Sequence, residues 1–148
     1  MEIGMKRIKQ LFSIEGRNVY LVERDEKHPR LVAAALMNRD EIVVSKLFYE
    51  IFTEETQQAV LFHEVGHLNF HKGVPKTEEN YLERECEADY FAATKTDYSK
   101  VLLIHEQGMQ YFKELYEKKQ ITKLEYEQST DNLKHRFGYI CDQFIFGC

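Results

Sequence analysis

The sequence has few of the residues that mark secreted or membrane-spanning proteins. It contains no tryptophan, 2 prolines and 3 cysteines in 148 residues. The cysteines, Cys86, Cys141 and Cys148, are odd in number, widely spaced and without a CxxC pair, which favours reduced thiols over a disulfide framework. The longest apolar run, residues 31–37, is far shorter than the about 20 residues of a spanning helix. Residues 1–16 lack the apolar core of a signal peptide. We therefore expect a cytoplasmic protein without a membrane segment.

Strong positive charge is also missing. The net charge is −5, and basic residues form no group larger than the pairs at 6–7 and 118–119. Nucleic acid is therefore not expected as a direct substrate. A hydrophobic content of 43% with 30% charged residues is typical of a folded globular chain, and the length fits one domain over residues 1–148.

The first third of the chain has the pattern of short strands. The segments NVYLVER, RLVAAALM and DEIVVS are rich in β-formers, and the first of them alternates between two faces. Asn38, Arg39 and Asp40 suit a hairpin turn between the last two segments. We therefore predict a small antiparallel sheet of about three strands.

The rest of the chain has helical periodicity. Residues with N-cap character precede each apolar-periodic segment: Ser45, Thr53, Thr77, Thr96 or Asp97, and Thr122, which forms a capping-box pattern with Glu125. The helix after Thr53 should end near Gly73 and Pro75. The predicted fold class is α+β, with the sheet packed on about four helices.

The stretch LFHEVGHLNFHKG, residues 61–73, contains the strongest chemical signal. His63 and His67 lie four residues apart on a helix, so both rings project from one face and can bind one ion. Glu64 lies next to the first ligand and can accept a proton from water bound at the metal. H-E-x-x-H is the signature of zinc peptidases, which makes Glu64 the predicted catalytic base. The alternative is that these are ordinary, partly buried histidines.

His71 extends the histidine series but cannot join the same site directly. It follows His63 by eight residues, which is about 12 Å along a straight helix. The longer H-E-x-x-H-x-x-G-x-x-H signature also fails, because Phe70 and Gly73 occupy its last two defined positions. We expect His71 to be a C-terminal helix residue favoured by the dipole, or a hydrogen-bond donor to a ligand.

A third ligand is expected in the segment LERECEADYFAA, residues 82–93. At helical spacing, Glu83 and Glu87 fall on the solvent face, whereas Glu85 and Asp89 share a face with apolar residues. A carboxylate on an apolar face needs a partner, and zinc is a suitable one. We predict Glu85 as the third metal ligand and Asp89 as the acceptor for the second ring nitrogen of His63. A solvated Glu85 is the alternative.

FHEVGHLNFH followed by ECEADYFAA resembles the gluzincin group of zinc metallopeptidases, and within it the ImmA/IrrE-type cytosolic proteases. The preceding residues, from Ile42 to the motif, are similar to HtpX-like metalloproteases. The resemblance covers about a third of the chain, from Ile42 to Ala93. It implies a minimal zincin-like catalytic core with Zn²⁺ on His63, His67 and Glu85. It also implies Glu64 as base and Asp89 behind the ligands.

Two further features remain open. Peptide hydrolysis needs a group that stabilises the oxyanion, and the candidates are His105, His135, Tyr81, Tyr90 and Tyr111. His105 lies on the apolar stripe of its helix, and a core position is the alternative. The apolar tail from Gly138 either packs as the last helix or covers the cleft, with Cys148 or the terminal carboxylate at the open metal position of a latent enzyme.

The sequence therefore predicts a soluble zinc-dependent metalloendopeptidase that acts on a protein or peptide. The ImmA/IrrE-type resemblance implies limited cleavage of a regulatory protein, such as a repressor. The competing hypothesis is a non-catalytic interaction module stabilised by zinc, whose metal would have four protein ligands. A metal-dependent hydrolase of another substrate class is a third option, and the oligomeric state is not predicted.

Overall fold

A computed structural model gives the fold of the chain and describes residues 6–25, 27 and 29–146. Four strands are followed by five helices, which confirms the α+β class. Within this part of the chain, no helix has both the length and the apolar character that crossing a membrane requires.

The strands form one mixed sheet. They are β1 (Arg7–Ile14), β2 (Arg17–Val22), β3 (Ala33–Leu36) and β4 (Glu41–Val44), in the spatial order β1-β2-β4-β3. β1 and β2 are an antiparallel hairpin, and β3 and β4 are a second one through the predicted turn. β2 and β4 are parallel, so the two hairpins meet at the centre of the sheet.

The sheet thus differs from the prediction in one strand and one pairing. β1 was not predicted, because it is an edge strand that is mostly exposed, with only Ile14 buried at its end. β4 takes an interior position because it is apolar on both faces. Ile42 and Val44 are 0% exposed and Val43 is 2% exposed. When both faces of a strand are covered, the N–H and C=O groups along its two edges are removed from water and need partners, and β2 supplies the second set.

The helices are α1 (Lys46–Ile51), α2 (Glu54–Phe70), α3 (Tyr81–Lys95), α4 (Tyr98–Glu117) and α5 (Lys123–Phe144). The predicted start signals are confirmed for α1, α4 and α5. Ser45 and Asp97 accept from backbone N–H groups, and Thr122 forms the complete capping box with Glu125.

The prediction that Thr77 caps the third helix is wrong. Asn80 occupies the N-cap of α3, and the helix begins at Tyr81. The Thr77 hydroxyl accepts from the Asn80 N–H, and the Asn80 side chain accepts from the Thr77 N–H. The capping chemistry of Thr77 therefore closes a separate turn before the helix.

Helix α2 is the central element of the fold. It packs on the sheet through Val60, Val65 and Leu68, and α3 packs on it from the other side. A Cβ atom added at Gly66 would lie only 3.1 Å from the Ala88 Cα. The two helices that carry the predicted metal-ligand motifs therefore approach each other closely at Gly66.

Candidate metal centre

Three predicted ligands converge between α2 and α3. The Nε2 atoms of His63 and His67 lie 3.2 Å apart. Glu85 Oε1 lies 3.2 Å from His63 Nε2, and Glu85 Oε2 lies 2.9 Å from His67 Nε2. Three donors at about 2.0–2.1 Å from one tetrahedral ion would be about 3.3 Å from each other. The group could therefore hold a metal ion.

The hydrogen-bond partners of the two imidazoles are consistent with a bound cation. Each ring has its Nδ1 atom engaged outside the centre, by Asp89 for His63 and by His71 for His67. The two Nε2 atoms then face a carboxylate that is itself only an acceptor. Neutral rings would bring three acceptors together with no proton between them, and a cation resolves that arrangement.

The electrostatics of the centre favour positive charge. Burial disfavours the imidazolium form, but the carboxylates of Asp89 and Glu85 outweigh burial and raise the pKa of His63 to about 10. Burial also acts on Glu85, but contacts with His63 and His67 hold the pKa of this carboxyl well below its usual range. A divalent cation satisfies the same field that otherwise attracts a proton to His63.

The Asp89 carboxylate, behind the predicted ligands, accepts hydrogen bonds from three side chains. Its Oδ1 accepts from His63 Nδ1 at 2.7 Å, so the predicted contact is present. It also accepts from His105 Nε2 at 2.9 Å and from two nitrogens of Arg136. Burial is outweighed mainly by the Arg136 charge, which keeps the pKa of Asp89 well below its usual range. A buried, ionised Asp89 holds the ring of His63 in one orientation.

His71 lies behind the second ligand rather than in the centre. It is the C-cap of α2, and its backbone N–H donates to the His67 carbonyl. Its Nδ1 lies 2.8 Å from His67 Nδ1, and its Nε2 lies 2.9 Å from Glu87 Oε1. Burial lowers the pKa of His71, which favours the neutral form of the ring.

The structure places His105, a candidate for oxyanion stabilisation, in the core behind Asp89. Its side chain is 0% exposed, and its Nε2 donates to Asp89. Its Nδ1 is buried and is the one buried side-chain N or O atom without a hydrogen-bond partner in the described chain. The ring therefore supports Asp89 from inside the core and cannot reach a substrate, because the apolar stripe of α4 is packed inward.

Arg136 was missed. Its Nε and Nη2 donate to both Asp89 oxygens, and its Nη1 lies 3.6 Å from Glu85 Oε1. Burial is outweighed by Asp89 and Glu85, which raise the pKa of Arg136. The signal was present: an arginine lies on α5 between Leu133 and Ile140, both buried. A charged residue on such a stripe requires a partner across the helix interface.

Two cavities flank the centre and share Glu64 and Glu85. The apolar cavity, about 230 Å³, is lined by Val60, Ile104, Phe112 and Leu133, with Arg136 beside the ligands. The wider cleft, about 610 Å³, is lined by residues of β3 and by His67, Tyr81 and Arg84. The Glu64 carboxylate makes no hydrogen bond or ion pair with any residue that the structure describes, although it is 9% exposed.

The other oxyanion candidates are separated by position. Tyr81 lines the wider cleft with Glu64, and Tyr111 lines the apolar cavity. Tyr90 is 41% exposed, packs against Phe144 with its ring tilted, and lines neither space. His135 is exposed on α5. Only Tyr81 and Tyr111 keep their candidacy on geometric grounds.

The described part of the C-terminal tail continues α5. Ile140 is 0% exposed and packs with Ala92, Ala93 and Val101, so this part follows the buried-helix alternative. No residue from 138 to 146 lines either cavity. Cys148, which the latent-enzyme hypothesis invoked, lies outside the described residues.

The chain was compared with protein-family models, curated proteins and solved structures. None of the three comparisons gave a significant match.

Proposed function

We propose that this protein is a zinc-dependent peptidase of the gluzincin type. The observation that carries the proposal is the convergence of His63, His67 and Glu85 within hydrogen-bond distances of each other, with Glu64 beside them. Imidazole and carboxylate ligands suit zinc. The resemblance to ImmA/IrrE-type proteases, through the same residues, supports this assignment and a cytoplasmic location.

Glu64 and Asp89 have different roles beside the proposed zinc ion. Zn²⁺, when bound, supplies Lewis acidity that polarises a carbonyl group and acidifies water. Glu64 faces both cavities with no competing partner in the described part of the chain, so its carboxylate can accept the proton of an attacking water and return it to the leaving amine. Asp89 holds His63 in the ligating orientation.

The sheet edge supports a peptide as substrate. β3 is an edge strand of the described sheet, and it borders both cavities: Ala33 lines both, and residues 34–37 line the wider cleft. An extended peptide can add to such an edge through main-chain hydrogen bonds. If it pairs antiparallel to β3, it runs from the wider cleft to the apolar cavity. The residue after the scissile bond then places its side chain in the apolar cavity.

The number of ligands argues against a purely structural zinc site. A structural site is usually closed by four protein ligands, whereas a catalytic site keeps one position open. Within the described residues the group contains three ligands and no fourth. A regulatory protein cut at a limited position is the substrate that the ImmA/IrrE-type resemblance favours, and a non-peptide hydrolase remains the weaker alternative.

The decisive experiment compares Glu64→Gln with the wild type. The variant should keep zinc and the fold, because Glu64 is not a ligand, and should lose about 10²–10⁴-fold in cleavage of a fluorogenic peptide library. Glu55→Gln, on the exposed first turn of the same helix, is the matched control and should cleave normally. Equal cleavage by Glu64→Gln and wild type would refute the peptidase assignment.

A further inference from the structure

We infer that His71 and Glu87 form a hydrogen-bonded relay that fixes the tautomer and orientation of His67 as a metal ligand. The relay comprises Glu87 Oε1, His71 Nε2, His71 Nδ1 and His67 Nδ1, in that order. The inference rests on the metal centre proposed above. Both residues are positioning residues, because neither lies within the ligand group itself.

The direction of each hydrogen bond follows from the acceptor at the far end. The Glu87 carboxylate can only accept, so His71 Nε2 must donate across the 2.9 Å contact. A neutral His71 with its proton on Nε2 has a lone pair on Nδ1. Two Nδ1 atoms at 2.8 Å need one proton between them, and His67 Nδ1 must supply it.

The consequence reaches the metal position. With its proton on Nδ1, neutral His67 has its lone pair on Nε2, the atom that faces His63 and Glu85. The relay therefore presents the ligating nitrogen of His67 in the form that binds a cation. The opposite tautomer would place an N–H in the centre and leave two lone pairs facing each other at His71.

The relay is buried at His71 and half-exposed at Glu87, and it connects two helices. His71 is 4% exposed, so water is largely excluded from its contact with His67. The Glu87 side chain is 50% exposed and belongs to α3, whereas both histidines belong to the end of α2. The relay thus ties the C-terminal end of the ligand helix to the helix that supplies Glu85.

The two ligand histidines are supported in different ways. His63 donates directly to Asp89, a buried carboxylate with a 2% exposed side chain. His67 reaches a carboxylate only through a second imidazole. Hydrogen-bond partners of metal-ligating histidines typically contribute 10–100-fold to metal affinity, as a rough range. An effect of that size is expected from His71, and a smaller one from the half-exposed Glu87.

The test measures zinc affinity by competition with a chelating dye and needs no peptide. His71→Phe removes the acceptor for His67 and should weaken zinc binding by about 10–100-fold. His71→Gln, whose amide oxygen can accept from His67, should recover part of the loss. Glu87→Ala, which removes the acceptor for His71, should weaken binding by less, and Glu83→Ala, an exposed control one turn earlier on α3, should leave affinity unchanged.

Cobalt provides a second readout, because the visible spectrum of bound Co²⁺ reports ligand geometry. His71→Phe should shift this spectrum, whereas Glu83→Ala should reproduce the wild-type one. If His71→Phe fails to fold, Glu87→Ala provides the test instead. Wild-type zinc affinity in Glu87→Ala together with an unchanged cobalt spectrum would overturn the relay. If the wild type binds zinc but cleaves no peptide, the peptidase proposal is refuted, whereas the zinc-affinity measurements still test the relay.

Discussion

The Arg136 guanidinium contacts both oxygens of Asp89, with Nε to Oδ2 at 2.8 Å and Nη2 to Oδ1 at 2.9 Å. This two-point contact joins α5 to α3. Since Asp89 also accepts from His63, α5 is connected to a candidate metal ligand through two hydrogen-bonded contacts. The stability of α5 and the geometry of the candidate metal centre are therefore coupled.

Arg136→Met should destabilise the protein strongly. The change leaves Asp89 buried and ionised without its main counter-charge, and breaking a buried pair in this way typically costs about 3–5 kcal/mol. Urea unfolding monitored by circular dichroism measures the change.

Lys134→Met is the control for Arg136→Met, because Lys134 is exposed on the same helix. It should change the free energy of unfolding by less than about 0.5 kcal/mol. Similar stability of the two variants would show that the contact with Asp89 contributes little.

In the metal-free protein, the buried ring of His105 should contribute a loss of stability in mild acid. Burial lowers the pKa of His105 below its ordinary value of 6.5, despite the contact with Asp89. As the pH falls below about 6.5, the unfolded chain therefore binds a proton that the folded chain does not. The contribution of His105 to stability is retained above that pH and decreases below it, by at most about 1.4 kcal/mol per pH unit.

Unfolding at several pH values between 5 and 7.5 should isolate this contribution. His105→Gln can still donate to Asp89 but does not titrate, so its stability should fall less steeply with acid than that of the wild type. The exposed residue His135 provides the control, since His135→Gln should keep the wild-type slope. Parallel slopes for His105→Gln and wild type would contradict the assignment.

Local pattern was enough to predict the parts of the site that lie on one helix. The spacing of His63 and His67 defines one face of α2, and the apolar neighbours of Glu85 and Asp89 place both on the inner face of α3. The close approach at Gly66 then brings the two faces together. Side-chain type and helical period were therefore sufficient to predict these site residues.

Long-range pairing could not be predicted in the same way. The parallel alignment of β2 with β4 depends on the path of the chain between them, which periodicity does not encode. Arg136 lies 47 positions from Asp89 along the sequence, and only the packing of α5 on α3 brings them together. The choice between a substrate position and a core position for His105 stayed open for the same reason, because helical spacing shows that a face is apolar but not what covers it.

Gly108→Ala should change which side chain the apolar cavity accepts after the scissile bond. Gly108 lines the cavity, and an added Cβ would lie 3.1 Å from the Leu133 Cδ1 atom, so that side chain must shift. The helix itself should tolerate the change, because alanine is favoured over glycine by up to about 1 kcal/mol. Cleavage-site profiling by mass spectrometry should show a preference for smaller apolar residues at this position, by roughly tenfold.

Gly138→Ala is the matched control for Gly108→Ala, because its added Cβ meets no atom within 4 Å and the residue lies outside the cavity. Its cleavage profile should equal that of the wild type. A changed preference on the N-terminal side of the scissile bond instead would mean that the peptide runs parallel to β3.

Gly66→Ala should weaken metal binding through the distance between two helices. The new Cβ would lie 3.1 Å from the Ala88 Cα and 3.4 Å from its carbonyl oxygen, and backbone atoms cannot move aside as a side chain can. α2 and α3 must therefore separate, which carries His67 away from Glu85, now 2.9 Å apart. Overpacking of this kind costs about 1–3 kcal/mol, against a gain of up to about 1 kcal/mol in helix propensity.

For Gly66→Ala, zinc competition should show a lower zinc affinity and urea unfolding a lower free energy of unfolding. Gly138→Ala is the control, because it has the gain in helix propensity without the overpacking. A Gly66→Ala protein with wild-type zinc affinity would mean that the ligands do not depend on this contact.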